Sequence, residues 1–125
     1  MNTPLTVLHI PVTRKYFDAI VAGTKTVEYR DYTDFWCARL LLKDDRGEYR
    51  HARPYDIVRF RSGYTAHSPI VDVEFKRSEL VEYPDQPRFS PYRLGFAIHL
   101  GKVLRTENAG PAEPASTRYL KREAL

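Results

Sequence analysis

The chain has 125 residues, enough for one domain with a core of its own and not comfortably two. Hydrophobic residues make up 42%, which excludes an intrinsically disordered chain, and the single cysteine, Cys37, excludes an internal disulfide and any multi-cysteine zinc site. A net charge of +4 points toward an anionic partner, with nucleic acid or nucleotides first, or is the mild basicity that many small proteins carry without one.

Residues 4–10, PLTVLHI, read as a strand. Both alternating sets carry apolar residues, which predicts a central strand covered on both faces. Residues 13–22 read as a helix. Thr13 is a candidate N-cap, Tyr16, Phe17, Ile20 and Val21 recur on one face, and Gly23 stands where a helix ends in a left-handed residue. Residues 25–31 form a second strand with Val27 and Tyr29 on one face and Thr26, Glu28 and Arg30 on the other.

Residues 32–42, YTDFWCARLLL, read as a short helix capped by Thr33, with Phe35, Trp36, Leu40 and Leu41 buried and Cys37 a small hydrophobe beside them. A charged turn region follows over 43–54, with a hairpin around Arg46-Gly47. YDIVRFR (55–61) and PIVDVEF (69–75) both alternate and read as strands, joined by SGYTAHS as a hairpin-length loop. Residues 76–93 hold three prolines and mixed charge and read as an irregular connection or one short helix. Residues 94–105 are the last strand, with Gly101 marking a bulge or bend. The division is therefore a domain over 1–105 and a polar tail over 106–125, loosely docked or mobile, whose Arg118, Lys121 and Arg122 can add nonspecific RNA affinity.

No basic region followed by an apolar run opens the chain, so no signal peptide is read. No stretch approaches the ~18 apolar residues of a membrane span. With one cysteine, the chain reads as cytoplasmic, with no membrane partner. Five or six short strands, one main helix after the first strand and one or two short helices make an α+β domain built on a small, strongly curved sheet or barrel.

The candidate chemistry concentrates in GTKTVEYRD, residues 23–31. Strand alternation puts Glu28 and Arg30 side by side, and the four-carbon stem of Lys25 reaches over the same cleft from the start of the strand. Such a cluster binds an anion or a base edge, with Arg30 supplying a planar fork of donors. Alternatively Lys25 serves as a nucleophile or base. An exposed Glu–Arg pair with little effect on stability is the plainer alternative. Tyr64, at a loop tip between Arg61 and Thr65, either stacks a base or folds back on the core. Trp36 either floors a pocket or packs in the core. His9, His51, His67 and His99 have no helical i, i+4 partner and none lies near Cys37, so neither metal nor cofactor is expected.

A helix followed by Gly-x-Lys-x-x-Glu-x-Arg, here Gly23, Lys25, Glu28 and Arg30, resembles the signature of the ASCH domain, a family of the PUA-like β-barrel superfold. "YDIVRF" and "FAIHLGKVL" follow in the family's order, so the resemblance spans residues 4 to 104. It implies a small barrel with a cleft beside the first helix, where the motif's Lys, Glu and Arg cluster. PUA-like domains commonly bind RNA or modified bases. Some small ASCH proteins are amidohydrolases that deacylate N4-acetylcytidine through the motif lysine, matching Lys25, a threonine three residues later and a distal glutamate. Here Glu28 stands at the threonine position, and Glu74 is the candidate distal acid. Other ASCH proteins are credited with ribonuclease activity.

The expectation is thus a cleft for a nucleoside, nucleotide or single-stranded RNA segment. Lys25 and Arg30 meet phosphate or base acceptors, and Glu28 orients Arg30 or accepts from an exocyclic amine. Tyr64 or Trp36 gives a stacking face. Arg59 and Arg61 extend the basic rim or form a solvated strand face, and Thr65 flanks Tyr64 as a further contact.

Overall fold

The structure is a computed structural model and describes residues 4–87 and 93–110. The tail with Arg118, Lys121 and Arg122, and part of the expected 76–93 connection, lie outside the described residues. Among the described residues are seven strands and two helices: β1 (Val7–Pro11), α1 (Arg14–Val21), β2 (Val27–Asp31), α2 (Asp34–Leu40), β3 (Leu41–Lys43), β4 (Tyr49–Ala52), β5 (Ile57–Arg61), β6 (Ile70–Glu82) and β7 (Leu94–Glu107). Five of them form one mixed sheet in the order β1-β5-β6-β7-β2, and β3 and β4 form a separate antiparallel pair.

Alternation in the sequence fixes which face of the sheet is buried. Val58 and Phe60 of β5 point inward with Val71 and Val73 of β6 and with Phe96, Ile98 and Leu100 of β7. α1 covers this face through Phe17 and Ile20, each contributing roughly 1.5–3 kcal/mol by burial. Its other two predicted core residues, Tyr16 and Val21, are exposed. α2 adds Trp36, Cys37 and Leu40, and Thr33 caps it by accepting a bond from Trp36 N–H. Burial pushes the Cys37 thiol up from its ordinary pKa, as suits a packed, unreactive cysteine.

Several expectations are corrected. β1 is an edge strand, not a central one. Among the described residues it pairs only with β5, in parallel, burying Leu8 and Ile10 and exposing His9. Helix α2 stops at Leu40, and Leu41–Lys43 turns into a strand of the hairpin around Gly47 (φ 80°). Phe35 is exposed rather than buried, lying under the Arg39 guanidinium. Residues 76–82 continue β6 rather than forming an irregular connection. β6 and β7 stay paired through three register shifts. At one of them Gly101 lies against Glu74, as a bulge there requires.

The sheet curls until its two edges face each other, because Arg30 on edge strand β2 reaches Pro11 on edge strand β1. It does not close: β1 and β2 share no strand pairing, so the expected barrel is present as a half-barrel with an open seam.

Candidate functional site

The seam opens into a cavity of about 780 Å3. One wall is β2 with Lys25 ahead of it; the second is the β1–α1 turn, Pro11 to Thr13, with Tyr16 above it. The third is the β5–β6 loop, Ser62 to Tyr64. The volume lies within the range of small-molecule sites, about 300–1,000 Å3.

The β2 wall begins with the stop of α1. Gly23 has φ 77°; its N–H donates to Ile20 C=O and Thr24 N–H donates to Ala19 C=O, which is a Schellman ending. Lys25 N–H also bonds Ala19 C=O, fixing where its side chain starts. Next, β2 runs antiparallel to β7 with Glu28 opposite Ile98 and Arg30 opposite Phe96. Cross-strand partners share a face, so both side chains point to the inner face, as alternation predicts. Glu28 is consequently only 7% exposed.

Leu100 N–H donates to Thr26 C=O and Tyr32 N–H donates to Leu94 C=O. Antiparallel alternation therefore turns the backbone groups of Val27, Tyr29 and Asp31 away from β7 and into the seam. Side chains satisfy part of this edge. Lys25 Nζ donates to Val27 C=O at 2.8 Å, and Tyr29 N–H donates to Glu28 Oε1 at 3.1 Å. Across the seam, Arg30 Nη2 donates to Pro11 C=O at 2.8 Å.

With both cations held by carbonyls, the carboxylate between them is incompletely satisfied. Lys25 Nζ stands 3.8 Å from Glu28 Oε1 and Arg30 Nη2 3.8 Å from Oε2, outside hydrogen-bond range. Glu28 Oε2 and Arg30 Nε are buried without a hydrogen-bond partner. A buried carboxylate in this condition is costly unless something else serves it. Aromatic rings complete the cluster: Lys25 Nζ lies 5.2 Å from the Tyr16 ring, and Arg30 5.2 Å from the Trp36 ring.

The structure brings together Lys25, Glu28, Arg30 and Tyr64 of the residues singled out from sequence. Trp36 is in the core behind them and supports Arg30 rather than facing the cavity. Arg61 and Thr65 build the loop that carries Tyr64. Arg61 Nη1 donates to Thr65 C=O, and Thr65 N–H donates to the buried Ser68 hydroxyl. Gly63 allows this turn, with φ 113° and no room for a Cβ against Ser68 Oγ. Arg59 is held by Asp72 and does not line the cavity. Glu74 also lies outside the lining and stands 3.8 Å from Lys102.

Sequence reasoning did not find Pro11, Val12, Thr13, Tyr16, Tyr29 or Ser62 as wall residues. Thr13 carried no signal of this beyond its reading as an N-cap. It occupies the N-cap of α1, yet its side chain makes no capping bond and lines the cavity instead. Among the described residues, no group of three or more His, Cys, Asp or Glu is placed to hold a metal ion, and no helix is long and apolar enough to cross a membrane. Comparison with known protein families, with curated proteins and with solved structures found no match.

Proposed function

We propose that this chain is an ASCH-type domain of the PUA-like kind, and that its seam cavity binds a nucleotide or a single-stranded RNA segment. One observation carries the reading. Two cations and an under-satisfied carboxylate converge in a cavity whose lining also includes three tyrosines, Tyr29 on the same strand and Tyr16 and Tyr64 on the other walls. Phosphates require the cations, base edges require mixed donors and acceptors, and base faces require the rings. Tyr64 is 91% exposed at the mouth, where its ring can take a base without displacing core packing.

The reading is tested by titrating a short single-stranded RNA into isotopically labelled protein. Amide resonances of Val12, Thr13, Tyr29, Gly63 and Tyr64 are expected to move together. Shifts confined to another face would remove the reading.

A further inference from the structure

We infer that the Lys25–Glu28–Arg30 cluster reads the edge of a uracil-type base, a cyclic imide. This rests on the cavity being a nucleotide site and adds which base it takes. The chemistry of the three side chains is unambiguous. An ammonium and a guanidinium only donate, whereas an ionised carboxylate only accepts. The cations stand one at each carboxylate oxygen, Lys25 at Oε1 and Arg30 at Oε2, each 3.8 Å away. The cluster therefore presents donor, acceptor, donor.

None of the three is used up by the fold. Lys25 gives one bond to Val27 C=O and Arg30 one to Pro11 C=O, leaving further N–H groups on both. Among the described residues Glu28 receives a single bond, from Tyr29 N–H, and its Oε2 has no hydrogen-bond partner. A nine-tenths buried carboxylate left this way lacks a donor; Oε2 is itself enclosed, so a donor arriving from the cavity that Glu28 lines meets it through a small turn of the side chain.

The complementary edge reads acceptor, donor, acceptor. Uracil offers that order with O4, N3–H and O2. Guanine matches the first two positions but places its amino group against a cation. Cytosine matches one, and sets the N3 lone pair against the carboxylate. Adenine likewise meets the carboxylate with an unprotonated ring nitrogen. A phosphate dianion suits the two cations but not the acid between them. Sites that hydrogen-bond a donor reject ligands lacking it, because their own buried groups are then left unpaired. Single-stranded bases expose this edge, so the inference applies equally to a free nucleoside and to a uracil within RNA.

The test compares fluorescein-labelled pentamers of uridylate, cytidylate and N3-methyluridylate by fluorescence anisotropy at low salt. The uridylate pentamer is expected to bind at least about tenfold more tightly than either of the others, since the methyl group takes the place of the central donor and leaves both carbonyls. Glu28→Gln, whose amide can also donate, is expected to bring the uridylate-to-cytidylate ratio toward one. Equal or tighter binding of cytidylate, or indifference to N3-methylation, would overturn the base assignment while leaving the nucleotide site intact. No binding of any pentamer, with adenylate and guanylate added to the panel, would overturn both.

Discussion

Arg30 and Pro11 join the two open edges of the curled sheet: Nη2 of the first donates to the carbonyl of the second at 2.8 Å. Pro11 stands where β1 turns into α1, and Arg30 lies on the strand that α1 leads into. One side chain thus ties the ends of the β1–α1–β2 unit across the cavity, its guanidinium 5.2 Å from the Trp36 ring.

Removing that strap is expected to cost stability. Arg30→Ala loses a charge-assisted bond, worth about 1.5–3 kcal/mol, and leaves Lys25 as the one cation within 4 Å of Glu28 among the described residues. Arg30→Lys keeps the charge but loses the planar fork and should recover part of the loss. Urea unfolding of the three proteins checks the order wild type, Lys, Ala.

Tyr64 separates binding from stability. At 91% exposure it contributes nothing to the core, so Tyr64→Ala should leave the unfolding midpoint within error. RNA affinity should weaken by roughly 1–3 kcal/mol, the contribution of stacking one base. Unchanged affinity by anisotropy would remove Tyr64 from the site.

On the face of the sheet opposite the core, Asp72 of β6 is only 2% exposed and accepts two bonds from Arg59 of β5 and one from Arg105 of β7. The hydrogen bonds from Arg59, reinforced by those from Arg105 and opposed by burial, hold its carboxyl below the usual aspartate range. A depressed folded pKa contributes stability that is present above the unfolded value and lost as pH falls through the folded one. Stability should therefore decline from about pH 4 downward. In Asp72→Asn this part of the decline should be absent, which acid titrations of the unfolding free energy would show. Asp72→Ala should cost about 3 kcal/mol at neutral pH by leaving Arg59 without its partner.

Gly101 is required by contact rather than by backbone angle. A Cβ there would lie 2.7 Å from Glu74 Cβ, an atom fixed to the strand. Gly101→Ala is expected to lose roughly 1–3 kcal/mol by overpacking, and Glu74→Gly in the same protein should restore part of it. A double-mutant cycle by chemical denaturation reads the coupling.

Much of this architecture is legible locally, because the governing physics is local. Alternation assigns Val58 and Phe60 to the core and Glu28 and Arg30 to one face. Gly23 and Arg46-Gly47 mark a helix end and a turn through backbone conformations that glycine adopts easily. Longer-range geometry is not legible. The His9 face of β1 looks coverable, but only sheet order decides that it is an edge. In β6 the register shifts between Asp72 and Arg77 interrupt the alternation, and past them polar Ser78 is buried while Leu80 is exposed, so the segment loses its strand signature. The same limit applies to the site. Its charged wall lies in one nonapeptide, whereas Pro11, Tyr16 and Ser62 reach it only because the sheet curls.

The most direct test of the central claim is the salt dependence of single-stranded RNA binding by wild type and Lys25→Ala. If the seam cavity is the nucleotide site, log affinity should fall linearly with log salt, and the variant should bind more weakly at every salt concentration. Parallel lines of equal affinity would contradict it, because the cation at the centre of the cavity would then be making no contact with the RNA.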